Sequence, residues 1–320
     1  MGEIRSENMV ELKIYTPDLH DEWNRFVANS KNATFLHNRE YMDYHSDRFE
    51  DCSLVAYSKG KIIALLPANR VGETLYSHQG LTYGGWLMPL KHFYVTDMME
   101  IFDEMSRFLP SIGVKELIYK AIPHIYHSYP AEEDLYAIFR YNGTLIETNV
   151  STTIPQENPF HFNDNYRNLS NIAKRNGIEI SESDDYVAMW KMLTERLDSK
   201  YGAVPVHSLD EILLLKGRFL ENMRLFVAKK DGELVAGCVI YDTKIVAHSQ
   251  YTASTIEGRD IGALPLLYRT LIENVFKKRK YFDFGISNED HGRYLNTGLV
   301  MQKNYMGGRA IVYNTYKIVF

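Results

Sequence analysis

The most informative part of this chain reads YFDFGIS at residues 281–287, GRYLNTGL at 292–299 and KNYMGG at 303–308. A short aromatic strand ends in a glycine and leads into a polar, glycine-rich loop. A lysine follows, placed just before an aromatic residue and a pair of glycines. This segment closes a pattern that occurs in both halves of the chain.

Two stretches of the chain resemble each other at one constant offset. They read LVAYSKGKIIA at residues 54–64 and FVAKKDGELVA at 226–236. Each is an apolar strand, a turn and a second apolar strand, and each turn has a glycine where a tight hairpin needs a positive φ. A further strand, a helix and another strand follow in each half, which indicates an internal duplication.

The repeated order of elements predicts an α+β fold, with helices packed on mixed sheets in a sandwich. We expect two tandem domains, at residues 1–152 and 153–320, because the segment around the boundary is rich in Thr, Pro and Asn. The last predicted strand, residues 310–320, is compatible with either sheet.

Composition narrows the function classes. The 320 residues are 45% hydrophobic, which is enough for two cores, and the net charge of −5 does not favour general binding of polyanions. Cys52 and Cys238 are far apart and form no CxxC pair, so we expect neither disulfides nor a zinc site, and a cytoplasmic protein. No apolar run approaches the roughly 20 residues that span a bilayer, so stable membrane insertion is not expected.

The sequence contains no phosphate-loop, dinucleotide-binding, nucleophile-elbow or HExxH motif, and we expect no metal. It does contain GRDIGA at residues 258–263, between a predicted strand and a predicted helix. Backbone N–H groups at a helix start bind anions, and small residues let a phosphate approach. An ordinary tight loop explains the spacing equally well. As a binding site, it predicts contacts from Arg259, Gly262 and Ala263.

These motifs resemble the GNAT (N-acetyltransferase-like) superfamily, and more closely its Fem-type branch, in which two GNAT folds share one chain. The resemblance covers most of the sequence and is most specific at FDFG, residues 282–285, and at Lys303-x-Tyr305-x-Gly307. It implies an acyltransferase that uses acyl-CoA, such as acetyl-CoA. GNAT enzymes usually hold the pyrophosphate with Arg/Gln-x-x-Gly-x-Gly/Ala, whereas this chain has Leu264 at the third anchor. The first copy lacks the basic start, so we expect one donor site, in the second copy.

The resemblance also implies roles for individual residues. Lys303 is predicted to polarise the carbonyl or neutralise the oxyanion. Without the resemblance, a surface lysine that ends a strand would be an equal alternative. Asp283 is predicted to draw a proton from the amine or to hold it, although capping the loop after the strand is an equal alternative. Because His248 and Tyr251 are three residues apart, we expect only one to face the site, and we favour Tyr251, with Gln250 and His248 on the opposite face. The predicted substrate contacts are Arg175, Lys200, His207, Ser287 and Asn296.

Three functions are compatible with these features. The leading one is transfer of an acyl group from acyl-CoA to an amine of a sugar or cell-envelope precursor. The second is aminoacyl transfer from charged tRNA to extend a peptidoglycan-type peptide. The overall acidity disfavours this function, because binding of tRNA needs a basic surface. The third is a catalytically silent tandem fold that binds a precursor or partner. The donor, the acceptor and the oligomeric state are left open.

Overall fold

A computed structural model describes residues 10–320, apart from the side chains of Lys200 and Tyr201. The helices are α1 (His20–Ala28), α2 (Arg39–Met42), α3 (Val95–Ser111), α4 (Glu133–Arg140), α5 (Asp164–Arg175), α6 (Tyr186–Tyr201), α7 (Leu209–Arg218), α8 (Ile256–Asp260), α9 (Ala263–Thr270) and α10 (Thr297–Tyr305). The strands are β1 (Glu11–Ile14), β2 (Glu50–Asp51), β3 (Leu54–Ser58), β4 (Lys61–Leu66), β5 (Asn69–Val71), β6 (Thr74–Tyr76), β7 (Glu116–Lys120), β8 (Thr144–Pro155), β9 (Glu179–Ser183), β10 (Met223–Lys230), β11 (Glu233–Asp242), β12 (Val246–Ser254), β13 (Tyr281–Ile286), β14 (Asn288–Glu289), β15 (Tyr294–Leu295) and β16 (Arg309–Val319).

The chain forms two compact units. The first unit comprises the chain up to Thr148 together with Val312–Phe320, and the second unit is Asn149–Ile311. The chain passes from one unit to the other within β8 and again within β16. No helix in residues 10–320 is long and apolar enough to cross a membrane.

The first unit contains a three-stranded sheet, β1-β3-β4, and a run of strands in the order β2-β5-β6-β7-β16. Strands β6 and β7 are parallel, and the other pairs described in this unit are antiparallel. Helix α3 covers the core because Met98, Ile101, Phe102 and Met105 recur at helical spacing and are all fully buried. The last strand, whose partner the sequence left open, pairs with β7.

The second unit has the strand order β8-β13-β12-β11-β10-β9. Only the β12–β13 pair is parallel. Helix α9 packs on one face, where Leu267 and Leu271 join a core with Ile240 and Phe282. Helix α6 packs on the other face, and a Cβ at Gly237 would lie 2.5 Å from the sulfur of Met189 on that helix. Each unit therefore holds a mixed sheet with helices, and the predicted α+β class is confirmed.

Both predicted hairpins are present, β3–β4 and β10–β11. Their turns place Gly60 at φ 74° and Gly232 at φ 88°, each after a residue that also has a positive φ. Such a turn matches the twist of the two strands that it joins, which is why glycine was readable as a hairpin signal.

A β-bulge interrupts β12. Its register with β11 passes from Ser249 opposite Ile240 to Tyr251 opposite Val239, so that Gln250 is an extra residue. An extra residue reverses the alternation of side chains beyond it.

The bulge changes which side chains of β12 share a face. His248 and Tyr251 lie opposite Tyr241 and Val239, two residues apart on β11, so both point to the α6 side. Ser249 shares the α9 side with Thr252. The expectation that His248 and Tyr251 lie on opposite faces was therefore wrong, because it assumed a regular strand.

A buried hydroxyl in the first unit gives a test of the fold. The Tyr119 hydroxyl accepts a hydrogen bond from the Trp86 N–H at 2.7 Å and donates to the Asp134 carboxylate. We expect Tyr119→Phe to lower the free energy of unfolding by about 2 kcal/mol, because two buried polar groups lose their partner. The urea midpoint measures this. Tyr129→Phe is the control, since Tyr129 is 62% exposed. Equal midpoints for the two variants would contradict the assignment.

Candidate active site

The site begins where two parallel strands separate. β12 and β13 pair only from Val246–Tyr281 to His248–Asp283. Beyond that point β12 continues to Ser254 and β13 to Ile286 without pairing to each other. A cavity of about 330 Å³ lies at this opening, bordered by both strands and by helices α9 and α10.

One wall of the cavity is made of neutral hydroxyls. The Tyr268 hydroxyl lies 2.9 Å from the Ser249 hydroxyl and 2.7 Å from that of Thr252. The Cys238 sulfur lies 3.2 Å from the Ser249 oxygen. Burial raises the pKa of both Tyr268 and Cys238, so each keeps its proton. This wall therefore offers hydrogen bonds without charge.

The predicted anion-binding loop borders the cavity through Arg259 and Leu264. Arg259 donates through Nη1 to the Ser254 carbonyl at 3.1 Å, which holds the guanidinium beside the end of β12. Gly262 has φ 76°, and a Cβ there would lie 2.7 Å from the Leu169 carbonyl, so only glycine fits. Ala263 starts α9 and is fully buried. A guanidinium and a helix start, whose first N–H groups lack intrahelical partners, thus both border the cavity.

Lys303 lies at another part of the cavity wall, on α10, and is 6% exposed. Its ammonium donates to the Gly285 carbonyl at 2.7 Å, the Ile286 carbonyl at 2.8 Å and the Ser287 hydroxyl at 2.9 Å. Burial lowers the pKa of Lys303 to about 8, and the negative charge of Asp283 opposes this shift. The alternative of a surface lysine that ends a strand is therefore wrong.

Asp283 is fully buried on β13 and is not among the residues that line the cavity. Its carboxylate accepts hydrogen bonds from Ser151 at 2.6 Å and Thr153 at 2.7 Å, and lies 2.7 Å from Nδ1 of His248. Burial raises the pKa of this carboxyl, but the bonds from His248, Ser151 and Thr153 outweigh burial and hold the pKa at about 2. Asp283 is an ionised anchor between strands, and the structure does not favour its taking a proton from an amine.

Tyr251 belongs to a different cluster. Its hydroxyl is hydrogen bonded to Nδ1 of His207, and its ring packs edge-on against Trp190 at 5.0 Å between centroids. The Trp190 indole N–H donates to the His207 carbonyl at 3.0 Å. Neither Tyr251 nor His207 lines the cavity, so the structure does not bring them together with Lys303.

Of the other predicted substrate contacts, some lie beside Lys303 and others lie away from the cavity. Ser287 is 3% exposed and accepts from Lys303, and Asn296 caps the helix that carries Lys303, through a bond from the Leu299 N–H at 3.1 Å. Both support the lysine. Arg175 is exposed at the end of α5 and does not line the cavity. The Lys200 side chain lies outside the described part of the chain.

Sequence reasoning missed several residues that line the cavity. They are Arg196 on α6, Gln302 on α10, the Ser249–Thr252–Tyr268 hydroxyls and Phe284. Phe284 lies within the recognised FDFG motif and Gln302 directly precedes Lys303, so both could have been identified from the sequence. Arg196 was not, because nothing in its local sequence separates it from a solvent-exposed helical arginine.

The corresponding strands of the first unit do not separate. β6 ends at Tyr76, but the Ser77 N–H still donates to the Ile118 carbonyl at 2.9 Å, and the Gly84 N–H donates to the Lys120 carbonyl at 3.1 Å. A Cβ at Gly84 would lie 2.0 Å from the Ser77 carbonyl, which leaves no room between the segments. The first unit thus fills the place where the second unit has its cavity.

The described residues include no group of three His, Cys, Asp or Glu side chains that could hold a metal ion. The residues that border the cavity offer the Arg259 guanidinium, the start of α9, a wall of neutral hydroxyls and the buried ammonium of Lys303.

Comparison with known proteins agrees with this geometry. Residues 177–293 match the family model described as an acetyltransferase (GNAT) domain. Among curated protein sequences, none matches the chain.

Solved structures resemble the chain over nearly its full length. FemX has a TM-score of 0.68 at 11% identity, with 97% of each chain covered. L-PGS from Bacillus licheniformis has a TM-score of 0.60 at 14% identity, covering 96% of this chain and 92% of that one. A tandem GNAT protein from the clavulanic acid biosynthesis pathway has a TM-score of 0.51 at 12% identity, covering 97% and 98%. At such identities the likeness concerns the fold.

The predicted resemblance to GNAT and Fem-type proteins is thus confirmed. The cavity at the separated strands lies almost wholly within the matched segment and the α10 helix that follows it. Residues 177–293 match the acetyltransferase (GNAT) domain model, and the fold of the chain is similar over nearly its whole length to FemX and to a tandem GNAT protein.

Proposed function

We propose that this chain is an N-acyltransferase that moves an acyl group from acyl-CoA to an amine of a sugar or cell-envelope precursor. The observation that carries the proposal is the cavity at the separation of β12 and β13, which combines Arg259 and the start of α9 with the buried ammonium of Lys303. The match to a GNAT domain supports the reaction class.

The residues around the cavity fit an acyl-CoA donor. Arg259 and the first N–H groups of α9 are suited to its phosphates. Beyond His248 the backbone of β12 has no partner on β13, so its N–H and C=O groups are suited to amide groups of the donor. Leu299, Met306 and Phe284 supply an apolar side. When bound, acyl-CoA supplies an activated carbonyl.

Lys303 acts on this carbonyl through its charge. Its three N–H bonds go to Gly285, Ile286 and Ser287, which hold the ammonium at the cavity wall. A fixed positive charge in a water-poor site stabilises the oxyanion without reorganising in the transition state. The Ser287 side chain turns more easily than the two backbone carbonyls. The hydrogen bond to Ser287 is therefore the one that Lys303 exchanges for a bond to the substrate oxygen.

The cavity favours an anionic substrate. Arg196, Arg259 and Lys303 all line it, and the described lining residues include no carboxylate. Arg259 and Lys303 have roles toward the donor, whereas Arg196, from α6, remains for a phosphate or carboxylate of the acceptor. Sugar and envelope precursors commonly carry a phosphate or carboxylate, which supports this acceptor class over amines that have no anionic group.

Release of free thiol tests the reaction. Wild-type protein with acetyl-CoA and a panel of amino sugars, including nucleotide-linked ones, should release thiol faster than acetyl-CoA hydrolyses alone. Tight binding of a precursor with no release from any acyl-CoA would favour the silent fold instead. Salt-dependent binding of charged tRNA would favour the aminoacyl-transfer alternative, because phosphate contacts weaken as salt rises.

Donor binding is expected to depend on Arg259. We predict that Arg259→Gln weakens binding of CoA about 10- to 100-fold, which corresponds to the roughly 1.5–3 kcal/mol of a charged hydrogen bond. Isothermal titration calorimetry with CoA measures this. Arg269→Gln is the matched control, since Arg269 lies on α9, pairs with Glu273 and does not line this cavity. Equal affinities for the two variants would remove Arg259 from the donor site.

Turnover is expected to depend on the charge of Lys303. We predict that Lys303→Met lowers kcat by about 100- to 1,000-fold, as for loss of a group that stabilises an oxyanion. Lys278→Met, at an exposed lysine, should leave kcat unchanged.

The pH dependence of turnover checks the same charge. The pKa of Lys303 is about 8, so the ammonium is present below pH 8 and is lost as the pH rises through that value. The rate should therefore fall above about pH 8 in the wild type. Lys303→Arg should keep its activity at higher pH, because the pKa of arginine exceeds about 12. A wild-type rate that keeps rising through this range would contradict the assignment.

A further inference from the structure

We propose that His248 takes the proton from the attacking amine and that Asp283 is the positioning residue that orients it. This inference rests on the proposed acyl transfer. In the step, the amine nitrogen forms a bond to the thioester carbonyl carbon, the carbon–sulfur bond breaks and CoA leaves as a thiolate. The amine proton passes to Nε2 of His248, and the imidazolium then returns it to the thiolate or to water.

The position of His248 is the first argument. His248 and Asp283 form the last pair of the parallel ladder before β12 and β13 separate. The imidazole therefore lies at the apex of the opening, on the α6 side of β12. His248 is not itself among the residues that line the cavity, but the next residues of the same strand, Ser249 and Gln250, are. A base at His248 is therefore next to the point where β12 and β13 begin to separate.

The ring orientation is the second argument. Nδ1 of His248 lies 2.7 Å from the Asp283 carboxylate. A carboxylate accepts but does not donate, so Nδ1 carries the hydrogen and Nε2 carries the lone pair of the neutral ring. This is the tautomer that a general base needs, with the lone pair on the nitrogen that does not face the carboxylate.

Exposure separates the roles of the two side chains. The His248 side chain is 11% exposed, whereas that of Asp283 is 0% exposed. Of the two side chains, only the imidazole has an exposed fraction. The carboxylate is held by Ser151 and Thr153 on β8, which both donate to Oδ1 and leave Oδ2 to the histidine. Three neighbouring strands thus fix the geometry of one ring.

Gly285 brings the imidazole and Lys303 to the same peptide. A Cβ at Gly285 would lie 3.3 Å from Cε1 of His248, so the ring packs directly against this backbone. The Gly285 carbonyl accepts from Lys303 at 2.7 Å. The proton acceptor and the cation that stabilises the oxyanion therefore converge at the end of β13, which is the arrangement that attack of an amine on a carbonyl requires.

Two acceptors of different basicity test this role. With acetyl-CoA and glucosamine, His248→Gln should lower kcat by about 100- to 10,000-fold. Hydroxylamine is a weak base, so its nitrogen gives up a proton to water readily once it has attacked the carbonyl. With this acceptor, His248→Gln should lower kcat roughly tenfold or less, because general-base catalysis contributes little. His161→Gln, at an exposed histidine of the same unit, is the control and should change neither rate. Equal loss with both acceptors would mean that His248 only supports the fold, and would overturn the proposal.

Histidine NMR with ¹⁵N labelling tests the pair without turnover. The wild type should show His248 with hydrogen on Nδ1. Ser151→Ala should keep this tautomer, since it removes one of two hydroxyls from Oδ1, and Asp283→Asn should lose it. Asp283→Asn should also lower kcat for glucosamine while the KM for acetyl-CoA stays within about twofold, as expected of a group that acts only in the chemical step.

The outcomes distinguish failure of the His248 role from failure of the proposed acyl transfer. If the wild type acylates hydroxylamine and glucosamine but His248→Gln matches it, the transferase stands and the base does not. If the wild type acylates neither, both fall, and an intact Nδ1–H signal then identifies the pair as a structural link between strands. Hydrogen on Nε2 in the wild type would overturn the proposed orientation directly.

Discussion

The separation of β12 from β13 after three residue pairs is the constraint on which the second unit depends. Two adjacent strands that part inside a protein expose backbone groups, and buried backbone groups need partners. Lys303 supplies part of the solution, since its ammonium binds two consecutive carbonyls at the end of β13. The same ammonium lines the cavity. In the proposed acyl transfer, one side chain would therefore meet both a structural requirement of the fold and a catalytic requirement.

The two units meet this constraint differently. In the first unit, the segment after β6 stays bonded to β7, and Gly84 packs so closely against Ser77 that no ligand fits between them. The hydroxyl of Tyr119 then binds the Trp86 N–H and secures the segment further. Of the two copies, one is thus filled and the other is open. The open copy is the one that has the basic loop at Arg259, and it is the copy to which the proposed acyl transfer is assigned.

Much of the architecture was readable because it depends on local rules. The hairpin glycines were identified from turns that need positive φ, and Lys303 and the loop at Arg259 were identified from motifs. The bulge at Gln250 was not readable, since no glycine or proline marks it, and it decides that His248 and Tyr251 share a face. The helix around Lys303 was also missed, because Lys303 is its one buried residue and an apolar stripe is the usual signal. Arg196 comes to the cavity through tertiary packing alone.

Strand β16 has a consequence for how the protein is made. Residues 315–319 pair with β7, and Val312–Phe320 belong to the first unit, although the whole second unit precedes them in the chain. Tandem domains generally fold one after another as they leave the ribosome. Here the first unit waits for a strand that is translated after the second unit, so its sheet has an unpaired edge at β7 throughout synthesis. Protection of that edge during translation, by a chaperone or by transient contacts, becomes part of the biogenesis of this protein.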